Sequence, residues 1–304
     1  MAGKPLLAVV TGPTASGKTA LAVALAEHFG SEIISADSRQ IFKDLPIGTA
    51  APTTEERARA VHHLVGILGL DGYYSAARFE ADAMAILPSI WCKSPVAIVC
   101  GGSMLYVDAL VKGIDDMPAV CDGVRQYVKE MYSAHGIEGV LAQLQIVDPG
   151  IYETVDRANT RRVMHALEIS LQSGRPYSSF LTGSSRERPF DVVKFVIDMP
   201  REQLFERINA RVDAMIAAGL EEEARRAFAL GDFNSLNTVG YKELRQYFNG
   251  ELDRATAIAR IAKNTRVYAK KQLTWLARDP SRILLNPYTA VADAIGIIQR
   301  KLKS

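Results

Sequence analysis

The chain has 304 residues and 48% hydrophobic content, which excludes a disordered chain and gives room for one large α/β domain plus a smaller one. A formal net charge of +2 identifies no partner by itself, so local clustering of charge must carry that argument. Cys92, Cys100 and Cys121 form no C-x-x-C pair, which points to reduced thiols in a cytoplasmic setting and away from a disulfide framework or zinc site; no apolar stretch is long enough to cross a bilayer.

The first element is the apolar run Leu6–Thr11, read as a buried strand. Directly after it comes Gly12-Pro13-Thr14-Ala15-Ser16-Gly17-Lys18-Thr19, a complete Walker A pattern, and then a helical stretch from Lys18 to Phe29. Gly12 and Gly17 allow a tight turn that aims backbone N–H groups inward, and the helix N-terminus adds its dipole. Lys18 supplies a point charge and the Thr19 hydroxyl can hold Mg²⁺. The motif says diphosphate; it does not say ATP.

A second strand, Glu32–Ser35, ends in Asp37-Ser38-Arg39-Gln40. The carboxyl ends of strands line the ligand crevice in open α/β sheets, so Asp37 is expected beside the glycine loop, as a general base, a Mg²⁺ ligand or only a helix N-cap. Thr53 and Glu56 stand at capping-box spacing. His62-His63 has no carboxylate or cysteine at ligand spacing, and a structural role is expected for both. A third strand, Val96–Cys100, runs into Gly101-Gly102-Ser103, a second glycine turn suited to close approach of a ligand.

Residues 116–184 carry few strand-like runs and several helical patterns, so a helical insertion is expected there, with 1–115 and 185–304 forming the core. Val192–Asp198 reads as a returning strand and 201–230 as a long helical region. In it Arg207 and Arg211 share a face, either as a clamp on a phosphate or as a solvated pair bridged to Glu206 or Asp213. Residues 254–278 hold seven basic residues and no acidic one. A helical wheel puts Lys263, Arg266 and Lys270 on one face and Ile258, Ile261, Tyr268 and Trp275 on a packed opposite face, so a one-sign ridge suited to a polyanion such as RNA is expected. Arg282–Leu285 reads as a last strand. The alternation predicts an α/β fold: a P-loop NTPase-like parallel sheet flanked by helices, with the smaller all-helical insertion.

Taken together, GPTASGKT (12–19), ISADSRQ (34–40), IGTAAPT (47–53), HHL (62–64), YSAARF (74–79), GGSMLY (101–106), HALE (165–168), GYKE (240–243) and KNTRVYAKKQLTW (263–275) resemble the tRNA dimethylallyltransferase family, nearly end to end. The resemblance implies transfer of a dimethylallyl group from dimethylallyl diphosphate to N6 of the adenine 3′-adjacent to the anticodon in tRNA, releasing diphosphate. It implies that the P-loop, Lys18, Thr19 with Mg²⁺, and Arg211 hold the leaving diphosphate. It also makes Asp37 the general base. Asp37, Ser38, Arg39 and Gln40 would meet the extruded nucleotide. Ser103, Arg125, Arg161, Arg162 and His165 fall at tRNA-contacting positions, as do Gly240, Tyr241 and Lys242 and, on the last basic helix, Lys270, Lys271, Gln272 and Trp275.

The chain departs from the family pattern at Ala51, at Arg78 in place of an acidic residue, at Ser103 in place of threonine, and at Arg161 and His165, which stand for a glutamine and an arginine. A bacterial-type, monomeric, cytoplasmic enzyme is expected. The alternatives are prenyl transfer to free AMP or ADP, a small-molecule P-loop kinase, and an inactive RNA-binding relative.

Overall fold

The computed structural model describes residues 4–183 and 185–303. By internal contact the chain divides into two compact units, Met1–Lys112 with Glu187–Ser304, and Gly113–Arg186. The second unit is a few residues wider on each side than the expected 116–184, and residue 184 itself lies outside the described residues.

The larger unit is built on six parallel strands in the order β3-β2-β4-β1-β5-β6: β1 (Leu6–Thr11), β2 (Ile33–Ser35), β3 (His62–His63), β4 (Val96–Gly101), β5 (Asp191–Ile197) and β6 (Arg282–Leu285). Every residue of β1 and β4 is buried. Continuous apolar strands are what a parallel sheet covered on both faces requires. Two of the flanking helices, α1 (Lys18–Phe29) and, after β6, the C-terminal helix Ala290–Lys303, share one core with the sheet through Leu21, Leu25, Ala294 and Ile298 against Ala8, Val10 and Phe195. β3 is only two residues long and has no apolar run, so nothing in its composition marks it as a strand; register with Ile33 and Ile34 makes it one.

Strand register places the loops. Thr11 pairs with Gly101 on one side and Val196 on the other, and Ser35 pairs with Cys100. The loops after β1, β2 and β4 therefore leave the same sheet edge side by side. The expected capping box is present at α2 (Thr54–Arg59), with Thr53 and Glu56 satisfying each other's backbone amides. Next come α3 (Ala76–Trp91) and α4 (Met104–Lys112).

The smaller unit holds α5 (Asp122–Val147), α6 (Pro149–Thr154), α7 (Thr160–Ser173) and a 3₁₀ turn, Tyr177–Phe180. Its core joins Val128, Val140, Leu144, Ile151, Val163 and Leu167. Gly136, at φ 64, kinks α5 where a side chain would be strained. Buried Asp148 accepts N–H bonds from Ile151 and Ser178 and ties the α6 start to the 3₁₀ turn.

Back in the larger unit, the stretch 201–230 is two helices, α8 (Arg201–Ala217) and α9 (Leu220–Leu230), because Gly219 turns at φ 98. Then follow α10 (Tyr241–Phe248), α11 (Arg254–Leu276) and the C-terminal α12 (Ala290–Lys303). Among the described residues no helix is long and apolar enough to cross a membrane.

Candidate active site

The glycine loop joins β1 to α1, whose N-cap Gly17 (φ 96) has no side-chain cap bond. The first helical N–H groups are thus left to an outside acceptor. A Cβ on Gly12 would lie 2.6 Å from Ser16 Oγ, so glycine at 12 lets the loop close on itself. Ser16 is buried, and its Oγ has no hydrogen-bond partner among the described residues. A buried hydroxyl without a partner is costly, and an anion in the loop would satisfy it.

Two cations face this loop. Lys18 makes one long bond, Nζ to the Pro13 carbonyl at 3.5 Å. Burial lowers its pKa; Arg211 lowers it further, while Cys100 and Asp37 oppose. Arg211 comes from α8, and its guanidinium makes no hydrogen bond or ion pair among the described residues. Burial lowers its pKa, with Asp37 and Glu56 opposing. Its neighbour one turn earlier, Arg207, donates Nε–H to the Ala15 carbonyl at 2.8 Å. The two arginines therefore do different things, and neither is a surface bridge to Glu206 or Asp213: Arg207 holds the loop and Arg211 points charge at it. Cys100 lies beneath, its thiol pushed up to about 12 by burial, so it is no nucleophile.

Asp37 uses Oδ1 to accept the Arg39 N–H at 2.9 Å, and Oδ2 has no hydrogen bond among the described residues. One carboxylate oxygen fixes the loop and the other is available. Asp37 also acts electrostatically on Lys18, Arg211, Tyr106 and Tyr268. Tyr106 is pushed up to about 12, first by burial; Tyr268 is raised by burial and then by Asp37. Both phenols stay neutral beside the carboxylate. Tyr268 is a site residue that sequence reading assigned to the packed face.

Several expected contacts point inward instead. Gln40 donates Nε2–H to the Ala50 carbonyl at 2.9 Å and accepts from Ser35 Oγ at 3.0 Å, so its amide is committed to the protein. Ser103 Oγ accepts the Ser38 N–H at 2.9 Å and bonds Ser38 Oγ at 3.1 Å, tying the second glycine turn to the Asp37 loop. The glycines of that turn admit other parts of the protein: a Cβ on Gly101 would collide with the Ala36 carbonyl, and one on Gly102 would lie 2.5 Å from Gln272 Nε2. Tyr241 is fully buried and donates to Glu223 Oε1 at 2.6 Å; Glu223 also accepts the Ile47 and Gly48 N–H groups. Gly240 is buried as well, which leaves Lys242 as the exposed residue of the three.

On α11 the packed stripe is Ala257, Ile261, Ala269, Gln272 and Leu276. Tyr268 and Trp275 border it, 45% and 42% exposed. The Trp275 indole N–H donates to Asp108 at 3.0 Å. Gln272 is buried. Lys270 and Lys271 are exposed and, with Val267, Thr274, Trp275 and Arg278, line a surface groove. Arg39 donates Nη1–H to the Ser235 carbonyl at 3.4 Å.

In the smaller unit Arg161 and Arg162 are exposed on α7, and Arg125 lies half-buried on α5. His165 sits 3.7 Å from Glu168 and edge-on to Tyr177. Among the described residues no group of three His, Cys, Asp or Glu side chains could hold a metal. The histidine pair is structural: His63 pairs with Glu32 at 2.6 Å, and His62 Nδ1 bonds the Ala60 carbonyl at 2.9 Å.

The IPP transferase family model matches residues 40–279. A relative from Parabacteroides distasonis, tRNA dimethylallyltransferase 2, is 50% identical over 281 residues, covering 92% of this chain and 94% of that one. A protein of the same name from Porphyromonas gingivalis is 51% identical over 273 residues, 90% of this chain and 91% of that one. Among solved structures, the full-length tRNA isopentenylpyrophosphate transferase of Bacillus halodurans superposes with a TM-score of 0.72 at 31% identity, over 99% of this chain and 97% of that chain. A eukaryotic dimethylallyltransferase captured acting on tRNA gives a TM-score of 0.80 at 26% identity, over 93% of this chain and 74% of that chain. By the family model and these relatives, this chain belongs to the IPP transferase family.

Proposed function

We propose that the chain transfers a dimethylallyl group from dimethylallyl diphosphate to N6 of the adenine 3′-adjacent to the anticodon in tRNA, releasing diphosphate. The observation that carries the reading is the meeting of Lys18, Arg211 and Asp37 at one loop: two cations that make no ion pair among the described residues, near one carboxylate whose Oδ2 has no hydrogen bond among them.

Each residue has a step. The N–H groups that open α1, Ser16 Oγ, Lys18 and Arg211 bind the diphosphate and take up its growing charge as the allylic C–O bond breaks. Thr19 would hold Mg²⁺ there, which supplies further neutralisation of the leaving group. The allylic carbon becomes electron-poor. The adenine N6 lone pair, weakly nucleophilic because the ring delocalises it, forms the new C–N bond. The N6 proton goes to Asp37 Oδ2, a carboxylate oxygen held in place by the Oδ1 bond to Arg39 N–H. Tyr268 and Tyr106 lie within electrostatic reach of that carboxylate as neutral phenols. The base must leave its stack to reach this depth. Lys270, Lys271 and the half-exposed Trp275 offer phosphate and ring contacts along α11. Lys242 and, in the smaller unit, Arg125, Arg161, Arg162 and His165 are further tRNA contacts. The free cysteines suit a cytoplasmic setting.

The test is transfer of labelled dimethylallyl from its diphosphate to an anticodon stem-loop RNA, with AMP and an adenine-less loop as parallel acceptors. Transfer restricted to the adenine-bearing RNA is expected. Transfer to AMP in preference to RNA, or to neither, overturns the reading.

A further inference from the structure

We propose that Gln272 is a positioning residue for the diphosphate loop rather than a contact to RNA. The proposal rests on the function just given, in that the ligand of the loop is taken to be a diphosphate.

Gln272 sits in the packed stripe of α11, where its neighbours Ala269 and Leu276 are apolar. It is 5% exposed, while the adjacent Lys270 and Lys271 face solvent. A carboxamide at such a place is unfavourable unless both its ends are bonded. Both are. Oε1 accepts the Thr14 N–H at 2.9 Å, and Nε2 donates to the Gly102 carbonyl at 2.9 Å. One side chain thus bridges the loop after β1 and the turn after β4. Space has been left for it: a Cβ at Gly102 would lie 2.5 Å from Nε2, so a side chain there would push the Gln272 amide from its place.

The polarity of the bridge is specific. It needs an acceptor toward Thr14 and a donor toward Gly102, 258 and 170 positions away in the chain. Glutamate would turn a carboxylate oxygen on the Gly102 carbonyl and add negative charge beside the anion site. Methionine would keep the length and shape and lose both bonds. The consequence for the loop is equally definite. The Thr14 N–H points to α11 and is withdrawn from the set of amides available to an anion, while the next residue, Ala15, is held on its carbonyl by Arg207 from α8. Two helices grip the 13–14 and 15–16 peptide units, and the 14–15 peptide with the positive φ of Ala15 lies between the grips. Loop geometry at Ser16, Gly17 and Lys18 follows from that hold.

The experiment compares wild type, Gln272→Met and Gln272→Glu in three measurements on the full chain. These are binding of inorganic diphosphate with Mg²⁺ by calorimetry, KM and kcat for dimethylallyl diphosphate, and stem-loop affinity as a function of salt. Leaving the loop amide unsatisfied is expected to weaken diphosphate binding ~10-fold in the methionine variant, with donor KM rising in parallel and more in the glutamate variant. Stem-loop affinity and salt slope should stay within about twofold of wild type, since no phosphate contact is removed. Unchanged diphosphate binding in Gln272→Met overturns the proposal, as does a loss confined to stem-loop affinity. The diphosphate arm uses neither RNA nor an allyl group. A wild-type chain that binds diphosphate but fails to modify RNA would therefore sink the function and leave the loop assignment to be decided by its own variants. A wild-type chain that binds no diphosphate would sink both.

Discussion

Arg207 Nε–H meets the carbonyl oxygen of Ala15 at 2.8 Å across 192 positions of sequence, and Ala15 holds φ at 65. A left-handed non-glycine residue costs about 1 kcal/mol or more, so it needs an external hold. Arg207 is exposed on its outer side, and its contribution is a single charge-assisted hydrogen bond to a strained peptide. Arg207→Ala is expected to raise donor KM by roughly 3–10-fold with stem-loop affinity unchanged. Arg207→Lys should recover part of the loss. An unaltered KM in the alanine variant would show that the loop keeps its shape without the arginine.

Asp37→Asn separates geometry from chemistry. An amide oxygen can still accept the Arg39 N–H that Oδ1 accepts now, so the loop should keep its form. The amide cannot take a proton from N6. The single-turnover rate should fall by about 10²–10⁴, with stem-loop affinity within a few-fold of wild type. A rate close to wild type would remove Asp37 from the base role and leave it as a loop-forming residue.

Arg211 makes no ion pair or hydrogen bond among the described residues, and burial works against its charge more than Asp37 and Glu56 support it. Binding of diphosphate with Mg²⁺ should therefore stabilise the chain strongly, by about 2.7 kcal/mol at a ligand concentration 100 times Kd. In Arg211→Gln the free chain should melt no lower than wild type, because a desolvated charge has been removed. Its thermal shift with diphosphate should be much smaller. A full shift in the variant would mean that the anion sits elsewhere.

Lys18 gives a pH signature. Its folded pKa lies below the ordinary 10.5, chiefly through burial, so folding disfavours its charged form. Between the lowered folded value and 10.5 the unfolded chain binds more protons, and stability rises with pH in that window. Below the window the penalty is present in full. Denaturant unfolding of wild type and Lys18→Met across alkaline pH should show their difference moving in favour of wild type as pH approaches 10.5. A constant difference would place the ammonium in water.

What could be read from sequence, and what could not, divides by the range of the contacts involved. The glycine loop, the strands with continuous apolar runs and the Thr53–Glu56 box are local patterns, and each stands where its residues put it. The insertion was visible through the loss of strand-like runs. Tyr268 and Trp275 were expected on the packed face and are half-exposed at its edge, because a wheel fixes a residue's angle on the helix and not what covers it. Gln40, Tyr241 and Gln272 sit inside segments that match a nucleic-acid-binding pattern, yet their polar groups are spent on Ala50, Glu223 and the two glycine turns. Only coordinates reveal partners of that kind, since each lies at a distance set by tertiary packing. β3 had no signal at all, being two histidines whose strand character comes from β2 beside them.

The exposed basic groove of α11 makes a prediction about salt. Lys270 and Lys271 line it with Arg278 and the half-exposed Trp275, and Lys270 Nζ lies 5.7 Å from the centre of the Phe205 ring on α8. Neither lysine takes part in the packed stripe, so replacing both with alanine should leave the fold and diphosphate binding intact. If each neutralises one phosphate, the double variant should bind stem-loop RNA more weakly at low salt. Its slope of log affinity against log salt should be shallower by roughly 1–2. Trp275→Ala should act differently, weakening binding by about 1–3 kcal/mol if a base stacks on the ring, without changing the slope. Should the lysine variant keep the wild-type slope, the groove faces only solvent, and the polyanion contacts must come from Lys242 and the arginines of the smaller unit.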